Sequence, residues 1–141
     1  MEICLFRKFD AGAGVTWRHK KADCTVRALA TSTGMTYKQA YELLYRTQGE
    51  LHHCHFMLFD YLRHDREGFG VKRYVSFPAK RGIPRTRLSD FKRLHPTGRW
   101  IVQVAHHASA VVNGVCIDTW YPHGKTVYGA WEMNGLDNCN R

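Results

Sequence analysis

Cys24 is the residue whose setting first suggests reactivity. It follows Asp23 in the stretch Asp23-Cys24-Thr25-Val26-Arg27-Ala28-Leu29-Ala30. An acidic residue that can accept hydrogen bonds from first-turn N–H groups predicts a helix start at this point. The positive end of a helix favours a thiolate, which is the attacking form of cysteine. Taken alone, a cysteine there reads first as a small buried hydrophobe. A second pattern supplies partners. Asn113-Gly114 separates two apolar runs, Ala108 to Val112 and Val115 to Thr119, and predicts a two-residue hairpin. That turn sets Val112 opposite Val115, and therefore Ser109 opposite Asp118 and His107 opposite Trp120. Side chains alternate along a strand, so these four share one face with Cys116, while His106, Ile117 and Thr119 fall on the other. His107 and Asp118 are then diagonal neighbours, close enough for the carboxylate to hold an imidazole's tautomer and orientation.

Elements able to position these residues run along the chain. Ile3 to Phe9 reads as a short strand, broken by Asp10-Ala11-Gly12-Ala13-Gly14, with a polar approach loop over Val15 to Lys21. The Cys24 helix runs to Thr33, puts Val26, Leu29 and Ala30 on one face, and stops at Gly34. Thr36-Tyr37-Lys38-Gln39 has the form of a capping box and opens a second helix to about Gln48, striped by Tyr37, Tyr41, Leu44 and Tyr45. A third helix is expected from His52 to Arg63, ended by Gly68 and Gly70, and a strand from Val71 to Phe77. Pro78 to Arg87 is a basic exposed loop, and Thr86 to Leu94 a short helix. Trp100 to Val104 is a buried strand, with a further strand over Val127 to Trp131. Helices first and strands after make the class α+β, with N-terminal helices packed on a C-terminal antiparallel sheet in one domain over residues 1–141.

A Cys at a helix start, a His on a strand and an acid on the next strand form a recognisable order. It resembles that of papain-like cysteine peptidases, whose His is followed by Ala and apolar strand residues, as in His107-Ala108-Ser109-Ala110-Val111-Val112. The Asp23–Ala30 block and Gly114-Val115-Cys116-Ile117-Asp118-Thr119-Trp120 look most like small phage-encoded proteins of papain-like fold. Double-glycine leader peptidases share the Asp-Cys helix start. The resemblance covers residues 18–48 and 98–122. It implies a thiol hydrolase acting on a protein or peptide: a peptidase, isopeptidase or acyl transferase. Cys24 would attack a carbonyl carbon, His107 would take and return the proton, and Asp118 would orient His107. The Cys24 backbone N–H would be one oxyanion donor. Where the family usually places a Gln ahead of the nucleophile, this chain has Arg18 beside Trp17 and His19, so Arg18 or His19 would be the second donor.

Other readings compete. The basic residues Lys72, Arg73, Lys80, Arg81, Arg85, Arg87, Lys92, Arg93 and Arg99 are interleaved with Tyr74, Phe77 and Trp100. The alternative function is therefore a catalytically inactive papain-like module that binds nucleic acid or an acidic host protein through this region. Lys80, Arg81, Arg85, Arg87, Lys92 and Arg93 would make the contacts. A solvated positive face is the plain reading of the same run. His52-His53-Cys54-His55 is dense in metal ligands, but no second ligand pair stands at finger-like spacing, so a polar helix start is expected and no metal or cofactor. Gly12 and Gly14 lack the Gly-Lys-Ser/Thr ending of a phosphate loop.

Composition bounds these readings. A net charge of +9 favours acidic partners, and 13% aromatic residues exclude a disordered tail. No apolar run reaches the length of a membrane span, and Met1 to Lys8 lacks the layout of a signal peptide, so no membrane partner is expected. Cysteines at 4, 24, 54, 116 and 139 form no CxxC pair and no disulfide framework. Free thiols in a cytoplasm are the expectation, the host cell's cytoplasm if the protein is phage-encoded.

Overall fold

The Asn113-Gly114 turn forms as its residue types dictate. Asn113 and Gly114 both take positive φ, 50° and 79°, the pair of conformations that a two-residue hairpin of this hand requires. It joins β4 (His107–Val112) to β5 (Val115–Asp118), with Val112 opposite Val115, Val111 opposite Cys116 and Ala110 opposite Ile117. The computed structural model describes residues 6–9, 11, 23–48, 58–64 and 66–135. Within them β1 (Phe6–Lys8), β2 (Val71–Ser76), β3 (Arg99–Val104) and β6 (Val127–Met133) complete a six-stranded sheet of order β1-β5-β4-β3-β6-β2. β3 and β4 are themselves a tight hairpin through Ala105-His106, with His106 at φ 54°. His106 thus sits in a turn and is exposed, not on the second face of a strand.

The helices are α1 (Cys24–Thr33), α2 (Tyr37–Gln48), α3 (Leu58–His64), the single turn α4 (Arg66–Phe69) and α5 (Leu88–Leu94). α1 stops where expected: Gly34 takes φ 89° and its N–H returns to the Ala30 carbonyl. The capping box of α2 is complete, with the Gln39 N–H on Thr36 Oγ1 at 3.0 Å and the Thr36 N–H on Gln39 Oε1 at 2.9 Å. The first N–H groups of α5 are satisfied differently, by the His123 and Lys125 carbonyls.

The sheet is a middle layer. One face carries Ile101, Ala108, Trp131 and Met133 against α1, α2 and α3. The Trp131 ring anchors that side, with Phe59 stacked on it at 5.2 Å and Tyr74 tilted at 4.7 Å. The other face carries Trp100, Val102, Val104, Val111, Cys116, Val127 and Ala130 against Leu88 and Phe91 of α5. The α+β class stands, but the sheet is neither wholly C-terminal nor wholly antiparallel. β5 would have been an open edge, and the N-terminal β1 closes it in parallel, Phe6 opposite Cys116 and Lys8 opposite Asp118. β2 enters between helices and pairs antiparallel with β6. No helix among the described residues is long and apolar enough to cross a membrane.

The hairpin carries a direct test. A Cβ on residue 114 would sit 3.3 Å from the Pro96 carbonyl oxygen, on a backbone already at positive φ. Gly114→Ala is expected to lower stability by about 1–2 kcal/mol, read as an earlier urea midpoint with an unchanged slope.

Candidate active site

The hairpin register delivers His107 and Asp118 to each other. His107 Nε2 and Asp118 Oδ2 are 2.7 Å apart, and His107 is only 9% exposed. Ser109 donates its hydroxyl to the same Oδ2 at 2.6 Å, and the Thr119 backbone N–H donates to Oδ1 at 2.7 Å. Trp120, just past β5, lays its ring 4.8 Å from the imidazole. The imidazole is therefore held by its Nε2, leaving Nδ1 as the nitrogen not engaged by the carboxylate. Cys116, next along this face, lies 3.5 Å from Ser109 Oγ.

Electrostatics separates the carboxylate from the thiol beside it. Burial pushes the Asp118 carboxyl upward, but the hydrogen bond and charge of His107, the Ser109 hydroxyl and the Thr119 N–H outweigh it. The net value lies below the ordinary carboxylate range. Burial pushes the Cys116 thiol up to about 11, so it stays protonated and unreactive at neutral pH.

Cys24 is the first residue of α1 and is 6% exposed. It shares a packed cluster with Ala108, the β4 neighbour of His107. His107, Ser109 and Cys116 alternate to the sheet face that packs on α5, and Ala108 to the face under α1. What spans the two is Arg27, one turn after Cys24 on the same side of α1. Its guanidinium approaches Asp118 Oδ1 to 3.7 Å and also pairs with Asp23. The first turn of the Cys24 helix is thus tied directly to the His107–Asp118 pair.

Asp23 departs from its expected role. It makes no side-chain cap on α1; its carboxylate is drawn away by Arg27 and by the Tyr37 hydroxyl, which donates to Oδ2 at 3.0 Å. The i,i+4 spacing of Asp23 and Arg27 is the sequence signal for that diversion. Arg18 and His19, the expected second oxyanion donors, lie outside the described residues, as do Cys4, Cys54, Cys139 and the His52–His55 cluster. Among the described residues no group of three or more His, Cys, Asp or Glu side chains converges as a metal site.

The basic run is divided by the fold. Lys92 cannot contact a partner as expected: it is 3% exposed, its ammonium bonded to the Tyr121 hydroxyl and 4.3 Å from that ring's centre. Arg93 pairs with Asp90 at 2.8 Å, and Arg73 with Glu132 at 2.9 Å. Arg99 donates to the Ser32 carbonyl at 3.3 Å, fastening the sheet to the end of α1. Lys80, Arg81 and Arg87 remain at the surface. Compared with protein-family models, with curated proteins and with solved structures, the chain matches none.

Asp118 gives the site a measurable pH signature. Because its folded carboxyl titrates below the unfolded one, the stability it supplies is complete above the ordinary value of about 3.9 and is lost as pH falls through the lower folded value. Asp118→Asn should cost about 3 kcal/mol at pH 7, since it strips a buried network of its charge. It should also flatten the acid limb of the stability curve below about pH 4, measured by urea unfolding across pH.

Proposed function

We propose that the chain is a papain-like thiol hydrolase, acting on a peptide, isopeptide or other acyl bond with Cys24 as nucleophile. The observation that carries this reading is the buried His107–Asp118 pair, 2.7 Å apart and held from a second side by Ser109. A histidine fixed through Nε2 has its Nδ1 available to receive a thiol proton. Cys24 heads the helix packed on the face of β4 opposite His107, so the proton would pass round the start of β4, where His107 is the first residue and Arg27 already crosses from α1 to Asp118.

In the reaction, the Cys24 thiol gives its proton to His107 as sulfur bonds to the carbonyl carbon. The carbonyl oxygen takes up negative charge beside the N-terminus of α1, where the Cys24 N–H is one donor. Asp23 makes no side-chain cap there, so its carboxylate does not compete with that oxyanion. His107 then protonates the leaving nitrogen or oxygen as its bond to carbon breaks, giving a thioester. Water attacks the thioester with His107 taking its proton, and the thiol is restored. Asp118 stays ionised throughout and stabilises the imidazolium. Five cysteines with no CxxC pair suit work in a reducing cytoplasm.

Iodoacetamide labelling, read cysteine by cysteine in the wild type, tests the assignment. At neutral pH Cys24 should react at least about tenfold faster than Cys116, whose thiol is held up at about 11. His107→Ala should slow the Cys24 reaction without unfolding the protein. Slow labelling at equal rates, or a Cys24 rate indifferent to His107→Ala, would remove the thiol mechanism.

A further inference from the structure

A second site lies at the other end of the sheet, where the segment following β2 folds back on itself before α5. Lys80 and Ile83 bridge across a tight turn, and the chain then pairs with the start of β6, Arg87 against Thr126. The Val127 N–H to the Thr86 carbonyl fixes this return at 2.8 Å. Between the two limbs is a cavity of about 220 Å³, walled by Phe77, Pro78, Ile83 and Pro84 and flanked by Lys80 and Arg85. That is below the ~300–1,000 Å³ of sites for drug-sized ligands, and suits a single small group.

Three features surround the cavity. Arg85 donates to the Phe77 carbonyl at 3.3 Å and lays its guanidinium 5.2 Å from the centre of the Tyr128 ring. Tyr128 itself is 41% exposed and Ile83 59%, so aromatic and apolar surface faces outward beside the cations. No carboxylate among the described residues forms an ion pair with Lys80, Arg81, Arg85, Arg87 or Lys125; the nearby Asp90 is taken by Arg93.

We propose that this cradle binds single-stranded nucleic acid, seating one base between the proline and phenylalanine walls with a neighbouring base on the Arg85–Tyr128 stack. Flanking phosphates lie on Lys80, Arg81 and Arg87. An apolar-walled cavity with an exposed aromatic ring beside it serves a base, whereas an acidic peptide would need the cations alone. A duplex keeps its bases stacked inside and cannot offer one to the slot. The site is independent of the thiol chemistry, since β3 and β6 separate β2 from the His107 strand.

Fluorescence anisotropy of the whole protein with a labelled oligothymidylate of about a dozen nucleotides tests this. Binding should weaken steeply with salt, with a log–log slope near −2 for about three phosphates. Tyr128→Ala should weaken it about tenfold, and Lys80→Ala with Arg81→Ala should reduce both affinity and the salt slope. Lys38→Ala, which removes a cation ion-paired on α2 at 3.0 Å, should change affinity less than about twofold and controls for net charge. Circular dichroism melting confirms that each variant is folded. Absence of binding overturns the proposal, and so does a Tyr128→Ala protein of unchanged affinity. Equal competition by a duplex or by polyglutamate would also overturn it, marking a general polyanion surface or an acidic-peptide site.

Discussion

A buried carboxylate organises the site end of this fold. Asp118 is 4% exposed, and an ion withdrawn from water is costly unless its lone pairs are met. Here one oxygen takes His107 and Ser109, and the other takes the Thr119 N–H and faces Arg27. These donors come from β4, from the chain leaving β5 and from α1, so one charge constrains three pieces of the molecule. β4 must show His107 and Ser109 on one face, and that requires the register set by Asn113-Gly114. α1, buried along most of its length, must also turn Arg27 toward Asp118. Since Cys24 lies one turn before Arg27, its position follows from the same contact.

The same arginine alters the helix start. A capping Asp normally lends its oxygen to the first-turn N–H groups. Arg27 and Tyr37 instead hold the Asp23 carboxylate, so the end of α1 is stabilised by an ion pair and a hydroxyl rather than by a cap. Both arrangements involve charge-assisted hydrogen bonds, since a capping and a paired Asp alike accept with an ionised carboxylate. They differ in chemistry: only the second keeps the carboxylate away from the N–H groups at Cys24. Stability and reactivity at this helix end are thus served by different partners of one residue.

The legibility of the fold follows the range of the forces involved. Local rules set the α1 stop at Gly34, the Thr36–Gln39 box and the Asn113-Gly114 turn, and each forms as its residues indicate. The hairpin then transmitted local information outward, since its parity was enough to pair His107 with Asp118 and bring Trp120 to the imidazole. Long-range choices were hidden. Nothing in Phe6-Arg7-Lys8 says that it will run parallel to β5, because that pairing joins segments more than 100 residues apart. The role of Arg27 was concealed for the opposite reason. Its i,i+4 relation to Asp23 was visible, but its reach to Asp118 depends on how α1 packs across the sheet.

The basic stretch from Lys72 to Arg99 shows how topology converts a linear pattern into separate tasks. β2, α5 and β3 carry its residues to different strands and to one helix, so sequence neighbours do not form one patch. Lys92 faces inward onto Tyr121, where burial of an ammonium is supported by a ring face and a hydroxyl. Arg99 holds a helix carbonyl, while Arg73 and Lys72 share Glu132. These are structural cations, each engaged by a partner within the fold. The turn between β2 and α5 has no acids of its own; the nearest, Asp90 in α5, is already paired with Arg93, and the turn's prolines keep it from pairing as a regular strand. The uncompensated charge therefore collects at a loop with exposed apolar surface. A field built from unpaired cations beside a small cavity acts on a ligand at close range, which the net charge of +9 spread evenly over the chain would not do.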